Sequence, residues 1–134
     1  TGGWLRYPEI LLNKAEAQAC LGQSEAVSTL RSLMQYRYKK MPTIPSGGKE
    51  LVDFVRLERR KELCYEGHRW FDLRRYGMPS IKHTWLPGVG LTLQAFVLKA
   101  KDPMYTLPLP EAVLGVNPAL SQNASANTPE RKAE

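Results

Sequence analysis

The chain lacks most of the features that announce a function. Its 134 residues hold no apolar run approaching the roughly 18 to 20 needed to cross a bilayer, so no spanning helix is predicted. Cysteine and histidine are down to two each. Cys20 and Cys64 have neither the spacing of a zinc site nor that of a CxxC redox pair. Both fall in helical patterns, where a free thiol behaves as a small apolar side chain, so both are expected to be buried. His68 and His83 have no partner at ligand spacing, and neither a metal nor a cofactor is predicted. The opening Thr1-Gly2-Gly3-Trp4 is neither a signal peptide nor an initiator methionine, and the chain is expected to be a piece of something longer.

Acidic residues are the scarcer sign, 13 against 19 Lys and Arg, for a net charge of +6. Most of the excess falls between positions 39 and 82, where eleven cations face six carboxylates. Those interleaved carboxylates break up any phosphate-tracking stripe, so nucleic-acid binding is not expected. With 43% hydrophobic and 24% charged residues the composition is that of an ordinary globular domain, which excludes wholesale disorder. Its length suits one domain with a real core. That domain is expected to span 1–123. Large apolar residues are missing from position 121 onward, and 124–134 are expected to form a flexible tail.

Residues 7–21 read as a helix. Pro8 suits its first turn, Leu11, Leu12, Ala15 and Ala19 share a stripe, and Gly22 supplies the stop. Ser24 reads as the cap of a second helix with Glu25 in its first turn and an apolar face of Ala26, Val27, Leu30, Leu33 and Met34. Basic residues from Arg37 to Lys40 are expected to close it. With so short a link, the two must fold back as an antiparallel hairpin. The turn Leu21-Gly22-Gln23-Ser24-Glu25-Ala26-Val27 looks like that of a tetratricopeptide hairpin, although no second copy follows. Residues 41–48 form a loop, 49–66 a third helix, and 68–76 a shorter one ending before Gly77. Positions 81–110 are expected to be loops with at best a short β-hairpin near 96–107, followed by one helical turn at 111–115.

The third helix carries the most information. At about 100° per residue, Leu51 and Val55 define a stripe that Glu58, Glu62 and Glu66 continue, with Arg59 on the same side. Three carboxylates one turn apart repel one another, and aimed at a core they need partners. The economical solution is a network in which Arg59, Arg69 or Arg75 grips them, with at least two of the three glutamates largely buried. The chemical alternative is a paired-carboxylate site of the glycosidase type. A general acid needs a raised pKa, however, and so many arginines push the other way, so the structural reading prevails.

Glu58-Arg59-Arg60-Lys61-Glu62-Leu63-Cys64-Tyr65-Glu66-Gly67-His68-Arg69-Trp70-Phe71-Asp72-Leu73-Arg74-Arg75 closely resembles the ERRxELxxEGxRWFDLxR signature of SusD/RagB-like proteins. Arg6-Tyr7 and Leu12-Asn13-Lys14-Ala15-Glu16-Ala17 resemble the helix before it. Tyr105-Thr106-Leu107-Pro108-Leu109-Pro110-Glu111, with Asn117-Pro118 and Gln122-Asn123, resembles the family's close. Leu109 replaces the usual Ile, and the usual Pro-Gly-Tyr ending is missing after Asn123.

The resemblance implies an all-α fold of tetratricopeptide-like hairpins with irregular loops. It also implies the C-terminal portion of a non-enzymatic, lipid-anchored protein on the cell surface at the outer membrane. Such proteins capture oligosaccharides or other nutrients for a SusC-like TonB-dependent transporter. Membrane contact would come only through an upstream anchor, which neither Cys20 nor Cys64 can be. The signature residues Glu58, Arg59, Glu62, Glu66, Gly67, Arg69, Trp70, Asp72 and Arg75 would be scaffold, with Trp70 and Phe71 in the core. The one ligand-binding candidate is Trp85, a loop aromatic with no periodic partner. Two rivals remain: a tetratricopeptide-type scaffold for a peptide or protein partner, and a carbohydrate-active enzyme.

Overall fold

The computed structural model of the chain describes residues 6–129 and residue 133. It divides into two compact units, Thr1–Arg69 and Trp70–Glu134.

The first unit is built on three helices. Helix α1 (Tyr7–Cys20) starts with Pro8 in its first turn, where a missing N–H costs nothing. It ends in a Schellman turn: Gly22 takes φ +69°, its N–H reaches the Ala19 carbonyl at 3.1 Å, and that of Gln23 reaches Gln18 at 2.9 Å. The short link returns the chain as α2 (Glu25–Met34), which packs against α1. Ala15 and Ala26 are both fully buried, and their small side chains let the helices approach closely. Helix α3 (Gly48–Glu62) lies against α1 and completes a core of Leu12, Leu30, Met34, Leu51 and Val55, each nearly inaccessible. The expected hairpin and its third partner are therefore present.

Three local readings change. Ser24 is itself helical in its backbone angles, and its hydroxyl makes no cap bond, turning to Glu25 at 3.2 Å. Helix α2 stops at Met34 instead of running to the basic cluster, and α3 stops at Glu62 instead of reaching Glu66. In the turn beyond α3, Tyr65 takes φ +64° and Gly67 φ +80°, left-handed geometry that no helix continues through. Cys20, the last residue of α1, and Cys64, in the turn beyond α3, are exposed, not buried.

Helix α4 (His68–Arg75) leads into the second unit. There the strands β1 (Ile81–Trp85) and β2 (Gln94–Leu98) pair antiparallel, Ile81 opposite Leu98 and Trp85 opposite Gln94. A β-hairpin was expected, but nearer the C-terminus. Its base is pinned: Ser80 Oγ donates to the Leu98 carbonyl at 3.2 Å and the Lys101 N–H to that of Met78 at 2.8 Å. A 3-10 turn (Pro103–Tyr105) buries Tyr105, whose hydroxyl donates to the Pro79 carbonyl at 2.5 Å. Helix α5 (Glu111–Val116) follows.

The first residues of the expected tail are ordered into another 3-10 turn (Ala124–Asn127), which packs on the Pro103–Tyr105 turn and buries Ser125. Residues 130–132 and 134 of that tail, like 1–5, lie outside the described residues. Helices with one small two-stranded sheet remain the architecture.

Candidate functional site

The glutamate row resolves into two clusters at the C-terminal end of α3. Glu58 is buried, and its carboxylate accepts from the Tyr38 hydroxyl at 2.9 and 3.0 Å and from Lys61 Nζ at 2.6 Å. Glu62, with 12% of its side chain exposed, accepts from Arg6 Nη1 at 2.9 Å and from Arg37 Nε and Nη2 at 2.8 and 2.9 Å. Arg6 also grips Glu66 through Nε at 2.9 Å and Nη2 at 2.5 Å, and its Nη2 donates to the Glu62 carbonyl at 2.6 Å. Two of the three glutamates are thus largely buried, as expected, while Glu66 lies beyond the helix end and is exposed.

Their partners are a correction. The cations that meet these carboxylates are Arg6, Arg37 and Lys61, not Arg59, Arg69 or Arg75. Arg59 is buried and donates to Asn13 Oδ1 at 2.6 Å, and Arg56 reaches the buried Glu16 at 3.0 Å, tying α3 to α1. Arg69 is exposed. Arg75 pairs one turn back with the buried Asp72 at 3.0 Å. Nothing local marks Arg6 or Arg37 as partners of Glu62, since they stand 56 and 25 residues away in the chain.

The electrostatics follow from this geometry. The Arg37 guanidinium, with Arg6 behind it, holds the Glu62 carboxyl below the usual carboxylate range. Arg6 does the same to Glu66. Bonding to Glu58 raises the Lys61 ammonium. Ionised glutamates of this kind serve as anchors, not as proton donors.

A hollow of about 330 Å³ opens beside them, floored by Leu33 and Met34 and rimmed by Arg37, Tyr38, Glu58 and Lys61. Its rim groups already hold one another. Lys61 Nζ also lies 5.8 Å from the centre of the Tyr38 ring, over the face on which a ligand would stack. No group of three or more His, Cys, Asp or Glu able to hold a metal ion is present among the described residues.

The remaining signature residues are placed as follows. Gly67 makes the turn into α4. Trp70 is half-buried and stacks on Tyr105 at 5.1 Å between ring centres and 23° between planes. Phe71, expected in the core, is 67% exposed, because α4 turns Asp72 and Leu73 inward instead. Trp85 lies on β1 and not in a loop, and is 56% exposed. No described residue stacks on it with ring geometry like that of the Trp70 and Tyr105 pair.

The sequence close also has a geometric meaning. Pro108 and Pro110 lack N–H groups, so Leu109 supplies the one donor of the 108–110 stretch, and Gln122 Oε1 accepts it at 2.7 Å. Gln122 Nε2 returns to the Leu109 carbonyl at 2.9 Å, and Asn123 Nδ2 reaches that of Leu107 at 2.7 Å. Two side chains thereby do the work of a neighbouring strand.

Comparison with known proteins gives a consistent answer. The model of the SusD family matches residues 2–125. A SusD-like protein of Formosa agariphila is 41% identical over 81 residues, covering 52% of this chain and 16% of that protein. The crystal structure of a SusD-like protein from Bacteroides fragilis superposes with a TM-score of 0.62 at 28% identity, covering 90% of this chain and 25% of that one. The chain thus spans a quarter or less of the length of the relatives it matches.

Proposed function

Because the chain belongs to the SusD family, we propose that it is the C-terminal portion of a non-enzymatic cell-surface protein that captures glycans or other nutrients at the outer membrane. It would hand them to a SusC-like TonB-dependent transporter, with a lipid anchor in a part of the protein beyond this chain. The observation that carries the reading is the family match over residues 2–125. The site geometry supports the non-enzymatic half of it: the carboxylates of Glu58, Glu62 and Glu66 are bonded to cations, and those of Glu62 and Glu66 are held below their usual range. A glycosidase acid needs the opposite shift.

Trp85 is the one candidate ligand contact within the chain, and by itself it is too little for a sugar site. One exposed indole gives a sugar a face but not the concave, multiply bonded seat that affinity requires. The chain alone should therefore bind oligosaccharides with a Kd no better than about 1 mM. Calorimetric titration of this chain, and of the longer protein, against one panel of oligosaccharides tests the proposal. Tight binding by the longer protein only, with no release of reducing ends, is expected. Glycan hydrolysis would overturn the non-enzymatic assignment. Micromolar binding by the chain alone that disappears in Trp85→Ala would relocate the site to the hairpin.

A further inference from the structure

The β1–β2 hairpin is uncovered on most of β1 and at its tip, while β2 is half-buried. Every residue of both strands is at least partly exposed, and β1 and β2 pack chiefly on each other. A two-stranded hairpin standing alone is marginal in water, so apolar surface left on it calls for a partner. That surface is large. Trp85, Leu86, Leu91 and Leu93 are each more than half exposed, and Val89 at the tip is fully so.

The charge pattern says what kind of partner fits. Positions 84–98 carry no charged side chain at all. Positions 73–101 contain no Asp or Glu, while Arg74, Arg75, Lys82, Lys99 and Lys101 all fall there. Lys82 lies on β1 three residues before Trp85, and Lys99 directly follows β2, both exposed. An apolar, charge-free tip thus grades through an indole into a base where Lys82, Lys99 and Lys101 supply positive charge, Arg75 being taken up by Asp72. This is the ordering of a bilayer interface: hydrocarbon, then the amphipathic ring at headgroup depth, then anionic headgroups for lysines to meet. A sugar site would need polar groups converging on the ring, and the tip offers aliphatic side chains instead. A nucleic acid would use the cations but leave Leu86, Val89 and Leu91 with nothing to bury against.

We propose that the tip of this hairpin, from Trp85 to Leu93, inserts shallowly into an anionic lipid surface, with Lys82, Lys99 and Lys101 contacting the headgroups. The membrane contact expected from an upstream anchor would then have a second point within this chain. The proposal does not depend on which nutrient the protein captures.

Co-sedimentation of the 134-residue chain with phosphatidylcholine vesicles, with and without phosphatidylglycerol, is the test, with tryptophan emission as the second readout. Binding should be strong only with phosphatidylglycerol and should weaken as salt is raised. It should shift emission to shorter wavelength, a shift absent in Trp85→Phe. Val89→Asp with Leu91→Asp places charge at one fully and one more than half exposed position outside the core, and should weaken binding at least about tenfold while leaving the circular dichroism of the chain unchanged. Lys82→Glu with Lys99→Glu should abolish the preference for phosphatidylglycerol. The proposal fails if neither vesicle sediments the chain, or if sedimentation survives the paired aspartates unchanged. Tighter binding to a duplex DNA than to either vesicle would identify a polyanion site instead.

Discussion

Replacing Glu62 by Gln keeps the size of the side chain and removes its charge, isolating what the carboxylate does for Arg6 and Arg37. The structure sets the magnitude. Glu62 is 12% exposed but the two arginine side chains are 38% and 44% exposed, so both cations regain much of their hydration when the carboxylate is lost. A fully enclosed pair would cost about 3 to 5 kcal/mol on losing one partner. Each of these two pairs is nearer the exposed class, up to about 1 kcal/mol. Arg6 also keeps Glu66 and the Glu62 carbonyl. The expected loss at neutral pH is therefore about 1 to 2 kcal/mol.

The sign of the pH dependence follows from the folded-state carboxyl lying below its ordinary value of about 4.3. Its stabilisation is fully present above that value and is lost as pH falls through the lower, folded one. Urea unfolding followed by circular dichroism, at pH about 7 and about 3, should show parent and Glu62→Gln separated at the first and converging toward the second. Equal midpoints at neutral pH, or a gap that persists unchanged into acid, would refute the network.

Gly67→Ala should destabilise the chain by about 1 kcal/mol, because φ is +80° there and an added Cβ meets nothing within 4 Å, leaving backbone strain as the only cost. Urea unfolding of the Gly67→Asn variant, which tolerates this geometry better, should recover part of the loss. Ala26→Leu should cost about 1 to 3 kcal/mol by overpacking the fully buried seam between α1 and α2, read as a lowered Tm. An unchanged Tm would mean that the helices do not meet at Ala26.

What the sequence disclosed and what it withheld divide along a physical line. The start and stop of α1 were legible because Pro8 and Gly22 act within a few residues. The burial of Leu12, Ala15, Leu30, Met34, Leu51 and Val55 was legible because a 3.6-residue period is local. The end of α2 was not. The chain leaves the helix after Met34, and Arg37 and Tyr38 then bond α3 residues some 20 to 25 positions away. A contact at that range overrides a propensity worth only tenths of a kcal/mol per residue. The β-hairpin was placed too late in the chain because its strands show no alternation between buried and exposed faces. With most of β1 exposed and every residue of β2 half-buried, there is no period of two to read. Trp85 was assigned to a loop for the same reason. Phe71 misled differently: an aromatic beside Trp70 invites the core, but a short helix has one narrow inward face, and Asp72 and Leu73 take it.

The blocks that identify the family are the blocks that hydrogen-bond to one another. Asn13 and Glu16 of the α1 block meet Arg59 and Arg56, Arg6 meets Glu62 and Glu66, and Gln122 and Asn123 meet the backbone of Leu107 and Leu109. A charged signature is easily taken for chemistry, yet here Glu58, Arg59 and Asp72 are buried, Glu62 is nearly so, and each is bonded to a neighbouring side chain. Polar groups that satisfy one another across 40 to 60 residues fix a fold and leave little with which to hold a ligand. Recognition must then come from side chains with no such obligation. Among the described residues these concentrate on the uncovered hairpin, where Val89 and Trp85 face solvent and no carboxylate stands between positions 73 and 101. The family is written in what the chain bonds to itself, and the contacts proposed for it with other molecules rest on what it leaves exposed.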